Sequence, residues 1–202
     1  MTTTNDIRLS KTLSWLLRHG AVKEGLNIKS DGFISVVQLL EHKNLNGKYN
    51  LVDIERVVET DSKKRFSLRN NKGVLEICAN QGHSINIVDD LNLSIIDYKE
   101  DVNIIHGTYY RYWKFIKKQG LNRMKRNHIH FALGLPYDVT VTSGIRKDTE
   151  IFIYINLRLA ISDNLKFYRS ANNVILSPGD KNGVILPKYF QKVVDKHSRL
   201  LL

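Results

Sequence analysis

The sequence predicts an α+β protein of two lobes, a helical lobe ending in a β-hairpin and then a sheet-rich lobe. Three observations predict this. Apolar residues in the first sixty positions recur at helical spacing. Two alternating segments around positions 70–73 have the pattern of a hairpin, and short β-branched and aromatic runs fill the second half. We place the lobes at residues 1–90 and 102–202, with the connection in the mixed, acidic segment 89–103.

The first lobe is predicted as three helices and a hairpin. Leucines at helical spacing predict a helix over residues 7–18, and Gly20 is expected to end it. A capping-box pattern from Ser35 to Gln38 predicts a short second helix, and Asn50 is expected to cap a third. The inward face of that third helix is predicted to hold Leu51, Ile54, Val57 and Val58. Three helices followed by a hairpin is the order of a winged-helix domain, although many such domains bind only protein.

The second lobe is predicted as short strands with few helices. A strand at 104–106 is expected to enter a turn at Gly107, and a helix at 110–119 is expected to stop at Gly120. Further strands are predicted at 128–131, 139–142, 150–155, 165–169, 174–176 and 183–186. We interpret the last two as neighbouring strands joined by a turn at Pro178 and Gly179.

The net charge of +11 is concentrated in the second half of the chain. Residues 1–100 carry 14 Lys and Arg against 13 Asp and Glu, whereas residues 101–202 carry 17 against 7. This favours a polyanionic partner, with solubility alone as the alternative. A basic run without acidic residues consists of Arg111, Lys114, Lys117, Lys118, Arg123, Lys125 and Arg126. It could hold nucleotide phosphates or form a solvated helix face around a buried Trp113.

Several classes of protein are excluded by composition. The single cysteine, Cys78, rules out an intramolecular disulfide framework and a cysteine-only zinc site. The polar N-terminus lacks a signal-peptide core, and no stretch of about 18 apolar residues could span a membrane. We therefore expect a soluble, intracellular protein, cytoplasmic or nuclear, that is monomeric and has no metal site.

Six ordered segments resemble the tRNA 2'-phosphotransferase family. They are residues 16–20 (LLRHG), 64–66 (KRF), 79–84 (ANQGHS), 106–108 (HGT), 128–131 (HIHF) and 143–147 (SGIRK). Each segment is weak alone, but unrelated proteins would rarely place all six in this order at compatible spacings. The resemblance runs from about Ile7 to about Leu186.

The resemblance implies a fold and a reaction. The family has an N-terminal winged-helix lobe and a C-terminal lobe with the ADP-ribosyltransferase fold, with the active site between them. The implied reaction moves an internal RNA 2'-phosphate onto NAD, the co-substrate. It yields 2'-OH RNA, nicotinamide and ADP-ribose 1'',2''-cyclic phosphate, as the final step of tRNA splicing. The implied partners are NAD and a 2'-phosphorylated RNA, most naturally spliced tRNA.

The resemblance also implies a catalytic tetrad of Arg18, His19, Arg65 and Arg146. These residue types suit a phosphate site, because a guanidinium grips two phosphate oxygens and keeps its charge at physiological pH. His19 could assist by proton transfer or by stabilising phosphate charge. Each residue considered alone could instead lie on a solvated surface.

The implied NAD-binding residues are His106, Gly107, Thr108 and His130. Gly107 would let a ligand approach the backbone closely, and His106 could hold a ribose hydroxyl. His130 could equally be a core histidine, and His128, on the same strand face, is the alternative in its place.

Three further points stay open in the sequence. Gln81, His83 and Ser84 could line the site or form a local turn. Glu150, the only Glu in residues 101–202, is expected to begin a strand, so no acceptor-activating Glu is identified. An Asn172-Asn173 pair replaces the Asn-Gly turn of many relatives. The rival functions are an ADP-ribosyltransferase acting on nucleic-acid phosphates and a non-catalytic winged-helix protein that binds nucleic acid.

Overall fold

A computed structural model of the chain describes residues 3–89, 91–97, 99–100, 102–139, 141 and 143–202. The backbone contacts divide the chain into two compact units, Met1–Asn92 and Leu93–Leu202. The described residues form a mixed α/β architecture with five α-helices and several small antiparallel sheets. Each unit has a hydrophobic core of its own.

The first unit begins with its helices. They are α1 (Thr4–Trp15), a π-helical turn (Leu16–Gly20), α2 (Val36–Glu41) and α3 (Leu51–Thr60). Leu9 and Leu13 of α1 are fully buried, as is Ile54 of α3. These helices pack together because each presents one apolar stripe to the same core.

A small antiparallel sheet completes the first unit. Its strands are β1 (Ile34–Ser35), β2 (Phe66–Asn71) and β3 (Val74–Ala79), in the order β1-β3-β2. Lys72 and Gly73 join β2 to β3 with positive φ angles of 51° and 87°. A two-residue turn with positive φ at both positions matches the twist of a hairpin. The predicted hairpin is therefore confirmed.

The helix ends of the first unit were only partly predicted. Asn50 caps α3 as expected, since its side chain accepts a hydrogen bond from the Asp53 N–H. The capping box at Ser35 is wrong, because the Ser35 side chain makes no cap bond and Gln38 accepts from the Asn27 N–H instead. Leu51 is also wrong as a core residue, with 41% of its surface exposed.

The second unit contains nine strands, two α-helices and a short 3-10 helix (Pro187–Tyr189) in its described residues. The strands and α-helices are β4 (Ser94–Ile95), β5 (Ile104–Thr108), α4 (Tyr110–Gln119), β6 (Leu121–Asn122), β7 (Ile129–Phe131), β8 (Ile151–Ile155), α5 (Leu157–Ser162), β9 (Tyr168–Arg169), β10 (Ile175–Ser177), β11 (Val184–Ile185) and β12 (Phe190–Asp195). Their sheet orders are β4-β9-β10-β7, β12-β8-β5 and β11-β6. A bridge between Ile105 and Ala132 links β5 to the chain that leaves β7.

Several predictions for the second unit need correction. Residues 139–142 were predicted as a strand, but Val139 and Val141 are not in one, and Thr140 and Thr142 lie outside the described residues. The strands β10 and β11 belong to different sheets and do not pair with each other. The sequence also missed α5 and β12; a register shift in β12 between Phe190 and Lys192 breaks the alternation that identifies a strand.

Two local predictions hold. The helix α4 ends at Gly120, where φ is +87°. Asn173 has a φ of +58°, so the second residue of the Asn172-Asn173 turn adopts the left-handed conformation that asparagine tolerates.

The described residues also bear on membrane spanning and metal binding. None of the helices there combines the length and apolar content of a membrane-spanning segment. No group of three or more His, Cys, Asp or Glu side chains among them is arranged to hold a metal ion. The lone cysteine, Cys78, is buried, and burial raises the pKa of its thiol to about 12.

The two N-caps of the first unit give a matched prediction. Asn50→Ala should lower the free energy of unfolding by about 1 kcal/mol, because it removes an observed cap bond. Ser35→Ala, at a cap position without such a bond, should cost no more than a few tenths of that value. Urea unfolding of both variants measures the difference, and equal losses would contradict this description of the caps.

Candidate functional site

Arg18 and His19 lie in the π-helical turn that follows α1. The Ala21 N–H donates to the Leu16 carbonyl at 2.9 Å, five residues back rather than four. Leu16 and Leu17 are fully buried and anchor this wide turn in the core. Single π-helical turns within helices are rare and occur often at functional sites. Arg18 is half-buried here, and His19 is exposed.

Gly20 serves this turn by its small size. A Cβ built on Gly20 would lie 2.9 Å from the ring of Trp15, closer than real Cβ contacts allow. The backbone at Gly20 has no positive φ. The predicted role of Gly20 as a conformational stop is therefore replaced by a packing role: it makes room for the Trp15 ring.

The loop after β3 holds the π-helical turn in place. The Ser84 N–H donates to the Arg18 carbonyl at 2.9 Å, and Ser84 Oγ lies 2.9 Å from His19 Nδ1. Gly82 has a φ of +91°, and a Cβ there would meet the Arg18 side chain at 3.4 Å. Gln81 and His83 are buried in the same loop. Ser84 therefore orients the His19 ring through Nδ1.

Arg65 is presented by the turn between α3 and β2. Asp61 ion-pairs with the Arg65 guanidinium and also accepts the Arg65 backbone N–H at 2.7 Å. Lys64 has a φ of +44°, an uncommon conformation for a residue with a side chain. The Asn80 N–H donates to the Arg65 carbonyl at 2.8 Å. The Arg65 backbone is therefore fixed from both sides.

Arg18, His19 and Arg65 line one cavity of about 480 Å³ within the first unit. The other lining residues are Asp6, Ile7, Ser10, Lys11, Ser14, Trp15, Val57, Thr60, Asp61 and Ser62. Three members of the predicted tetrad, drawn from positions 47 residues apart in sequence, are thus brought together by the fold. Such a cluster of fixed cations can bind an anion.

The two carboxylates of the cavity are committed to other partners. Asp6 accepts hydrogen bonds from Arg56, at 2.8 Å from Nη2, and from the Thr3 N–H at 2.8 Å. The Arg56 bond, with the Thr3 N–H, lowers the pKa of Asp6 to about 2. Asp61 organises the turn that carries Arg65. Both carboxylates therefore have structural tasks in the first unit.

His106 of β5 has a defined tautomer. Its Nδ1 lies 2.9 Å from the His130 carbonyl oxygen, which can only accept, so Nδ1 carries the proton and Nε2 is an acceptor. Burial lowers the pKa of His106, the His130 carbonyl partly opposes this, and the charge of Arg126 lowers it further. The ring is therefore neutral at pH 7. A neutral imidazole with an acceptor Nε2 suits a donor such as a ribose hydroxyl.

Gly107 lies inside β5 rather than in the predicted turn. Ile105 exchanges both backbone hydrogen bonds with Ala132. Residues two apart in a strand direct their N–H and C=O groups to the same side, so those of Gly107 also point towards the Ala132 side, away from β8. On that side of β5, the His130 carbonyl accepts a hydrogen bond from the His106 side chain. A Cβ on Gly107 would lie 2.6 Å from Ile145 and 2.7 Å from Thr149. The absence of a side chain thus lets the 145–149 segment pack on the strand.

The remaining predicted NAD-binding residues have structural contacts. Thr108 is buried, and its carbonyl accepts the Glu150 N–H at 3.0 Å. His130 contributes its main-chain carbonyl to His106. His128 lies just before β7 and makes an edge contact with Tyr168 at 6.1 Å between ring centroids. Of the two histidines, His130 is therefore the one attached to the His106 group.

Arg146 lies in the second unit, on the exposed segment that follows β7. Its Nη1 is 3.3 Å from the Tyr109 hydroxyl, and that hydroxyl donates to Asp148 at 3.1 Å. The hydrogen bond with Tyr109 and the nearby charge of Asp148 raise the pKa of Arg146. Arg146 is therefore not among the residues that line the cavity of the first unit.

Arg126 is a candidate that the sequence did not single out from its basic run. Burial and the positive charge of Arg146 lower the pKa of Arg126, and its own charge lowers the pKa of His106. Arg126 therefore lies within electrostatic range of both residues. The sequence alone does not distinguish it, because its neighbours in sequence are also basic.

Glu150 has a structural task. Its Oε2 accepts the Tyr110 N–H at 3.1 Å, at the first turn of α4. A carboxylate there stabilises the positive end of the helix dipole. The position directly before β8 agrees with the expectation that Glu150 begins a strand.

A larger cavity of about 720 Å³ lies in the second unit beside β8 and β12. Its lining includes Tyr137, Lys147, Tyr154, Lys192 and His197, and none of the predicted site residues lines it. The predicted NAD-binding residues lie elsewhere, on β5 and β7.

Comparisons with known proteins agree on one family. Residues 4–179 match the sequence profile of a family described as RNA 2'-phosphotransferase, Tpt1 / KptA family. The tRNA 2'-phosphotransferase 1 of Danio rerio is 43% identical over 193 residues, covering 93% of this chain and 84% of the relative. The protein of that name from Homo sapiens is 42% identical over 194 residues, covering 94% and 76%. The tRNA 2'-phosphotransferase of Saccharomyces cerevisiae is 37% identical over 199 residues, covering 95% and 84%.

Gly82 and Gly73 allow the packing against Arg18 to be tested separately from backbone strain. Both have similar positive φ angles, but a Cβ on Gly73 would meet nothing within 4 Å, whereas one on Gly82 meets Arg18. Gly→Ala at either position should cost about 1 kcal/mol or more of stability. Only Gly82→Ala should also weaken binding of inorganic phosphate, measured by calorimetry below the melting temperature. Equal phosphate affinities in the two variants would contradict the placement of Arg18.

Proposed function

This chain belongs to the RNA 2'-phosphotransferase, Tpt1 / KptA family, and from this premise we propose how its residues perform the reaction. It is an enzyme that transfers a 2'-phosphate from RNA, the activity for which the family and its relatives are named, and we propose that it acts in the final step of tRNA splicing. We propose that the acceptor is NAD and that spliced tRNA is the physiological substrate. The products are then 2'-OH RNA, nicotinamide and ADP-ribose 1'',2''-cyclic phosphate.

The observation that carries the proposal is the shared cavity of Arg18, His19 and Arg65. Two guanidiniums held by backbone contacts and ion pairing provide planar donors for phosphate oxygens. In this proposal they clamp the 2'-phosphate of the RNA. Arg146 and Arg126 add positive charge from the second unit.

We assign the two units to the lobes that the family resemblance implies. The first unit, with its three helices followed by a hairpin, is proposed as the winged-helix lobe that binds RNA, residues 1–90. The second unit is proposed as the ADP-ribosyltransferase-like lobe that binds NAD, residues 102–202. The excess of positive charge in residues 101–202 supports contact with a dinucleotide or RNA phosphates there as well.

The residues around His106 fit NAD. The acceptor Nε2 of His106 suits a ribose hydroxyl, and the outward N–H and C=O of Gly107 suit a carboxamide. Thr108 and His130 keep this edge in place through backbone bonds. When bound, NAD would supply the electrophilic ribose carbon and the nicotinamide leaving group.

The chemistry asks the protein for positioning more than for proton removal. A phosphate monoester carries about −1.5 to −2 charges at pH 7, so it attacks without a general base. This agrees with Glu150, the only Glu in residues 101–202, being engaged at the start of α4. Oriented reactants and fixed charges can supply most of such a rate enhancement.

His19 is proposed to act in the second step, in which the neighbouring 2''-hydroxyl of the ADP-ribose bonds to the phosphorus and the bond from phosphorus to the RNA 2'-oxygen breaks. The Ser84 hydroxyl fixes the ring through Nδ1, so Nε2 would donate the proton that the leaving oxygen needs. His19 would be a proton donor here, and Arg18 and Arg65 would stabilise charge on the phosphate.

Label transfer tests the function and separates its rivals. An RNA with one labelled 2'-phosphate is incubated with NAD, and the label should move to free ADP-ribose cyclic phosphate. A stable ADP-ribosylated RNA would favour the nucleic-acid ADP-ribosyltransferase. Absence of both transfer and NAD binding would favour the non-catalytic winged-helix protein.

The arginines of the second unit are distinguished by substitution. Arg146→Ala should abolish turnover while the protein stays folded, because Arg146 is exposed. Arg126→Ala should weaken turnover as well, and it should raise the pKa of His106 by removing a nearby positive charge. Single-turnover rates and a histidine NMR titration measure these effects. Near-normal rates in folded Arg146→Ala would remove Arg146 from the mechanism and leave Arg126 as the candidate.

NAD binding should depend on pH through His106. Its pKa lies below the ordinary histidine value, so the neutral ring persists at pH 7 and is lost only as the pH falls below 6.5. Protonation would turn Nε2 from an acceptor into a donor and weaken NAD binding. Calorimetry between pH 8 and pH 5 should show this loss in the wild type and in His128→Gln, but not in His106→Gln. A loss centred above pH 6.5 would contradict the assignment.

A further inference from the structure

The cavity that holds Arg18, His19 and Arg65 is longer than a phosphate requires. Its lining continues back along α1 from Arg18 to Lys11 and Ile7. With a rise of about 1.5 Å per residue, the seven residues between Lys11 and Arg18 span about 10 Å. The volume of about 480 Å³ is that of a pocket for an organic ligand rather than for a single anion. The cavity therefore has room for more than a phosphate bound by Arg18, His19 and Arg65.

Trp15 lines this space between Lys11 and Arg18. Its side chain is 40% exposed although it belongs to a helix that buries its leucines completely. The outer edge of its six-membered ring packs against Gly20, where no Cβ would fit. This packing restricts the ring to the cavity wall. An aromatic ring held beside an arginine cluster is a ready surface for a nucleobase.

We propose that Trp15 is the stacking platform for an RNA base next to the 2'-phosphate, and that Lys11 binds a backbone phosphate farther along α1. This inference rests on the proposed function, which places the 2'-phosphate on Arg18 and Arg65. The occupant is RNA rather than the adenine of NAD, because the groups that fit NAD lie around His106 in the second unit. The arrangement combines a stacked base with a cation on the backbone, as in other single-strand binding sites.

The stacking step is tested with short RNAs that carry one 2'-phosphate. One RNA is complete, and the others lack a base at the phosphorylated nucleotide or at either neighbour. Trp15→Ala should weaken binding of the complete RNA about tenfold, and Trp15→Phe should retain most of the affinity. For the wild type, one of the abasic RNAs should bind about tenfold more weakly than the complete RNA. For that abasic RNA, the affinities of Trp15→Ala and of the wild type should be equal, because the stacking partner is already missing.

Controls separate stacking from folding. Phe115→Leu, at a more exposed aromatic residue outside the cavity, should leave binding unchanged. If Trp15→Ala fails to fold, the wild type and Trp15→Phe still test the stacking, because both should lose affinity for the RNA that lacks the stacked base. Unchanged affinity for every abasic RNA overturns the inference. The inference is also overturned if Trp15→Ala loses the same fraction of affinity for every RNA, or if it loses affinity for NAD and not for RNA.

Lys11 is tested against Arg8, a cation of the same helix that does not line the cavity. Lys11→Ala should reduce the slope of log affinity against log salt by about 0.7, the value for one phosphate contact on single-stranded nucleic acid. Arg8→Ala should leave the slope unchanged. Identical slopes in the two variants overturn the Lys11 assignment. If the wild type neither binds these RNAs nor transfers label, the proposed function itself fails. If label transfer is intact but the Trp15 substitutions do not change RNA affinity, only this inference fails.

Discussion

The attachment of the π-helical turn to the loop after β3 is the contact on which the candidate site depends. Ser84 accounts for both bonds, one to the Arg18 carbonyl and one to the His19 ring, across 65 residues of sequence. Helix ends leave carbonyls without intrahelical partners, and this loop supplies one. The same loop, at Gly82, lies against the Arg18 side chain. Without this loop, Arg18 and His19 would lie at a fraying helix end, and their side chains would not be held in the lining of the cavity.

The candidate site residues of the two units differ in charge and in hydrogen-bonding type. The first unit supplies fixed cations, with Asp61 and Asn80 holding the turn that presents Arg65. The second supplies a neutral histidine of defined tautomer and an outward strand edge at Gly107. A reaction whose nucleophile is already an anion requires this kind of preorganised positioning. The strained backbone at Lys64 is consistent with a turn shaped for presenting a side chain.

Local patterns predicted the elements whose stability is local. The Asn50 cap, the hairpin turn at 72–73 and the end of α4 at Gly120 each depend on neighbouring residues. Features that depend on tertiary packing were missed. No spacing rule reveals that Gly20 accommodates Trp15, that Gly107 lies within a strand, or that the charge of Arg126 acts on His106. The tetrad came from family resemblance, and the cavity joins three of its members.

The central claim is that the cavity of Arg18, His19 and Arg65 recognises the 2'-phosphate itself. The most direct measurement compares the affinities of two RNAs that differ only in carrying a 2'-phosphate or a 2'-hydroxyl. Bonds to charged groups predict that the wild type binds the phosphorylated RNA at least about tenfold more tightly. Arg18→Ala should remove most of that preference. Equal affinities of the wild type for the two RNAs would contradict the account.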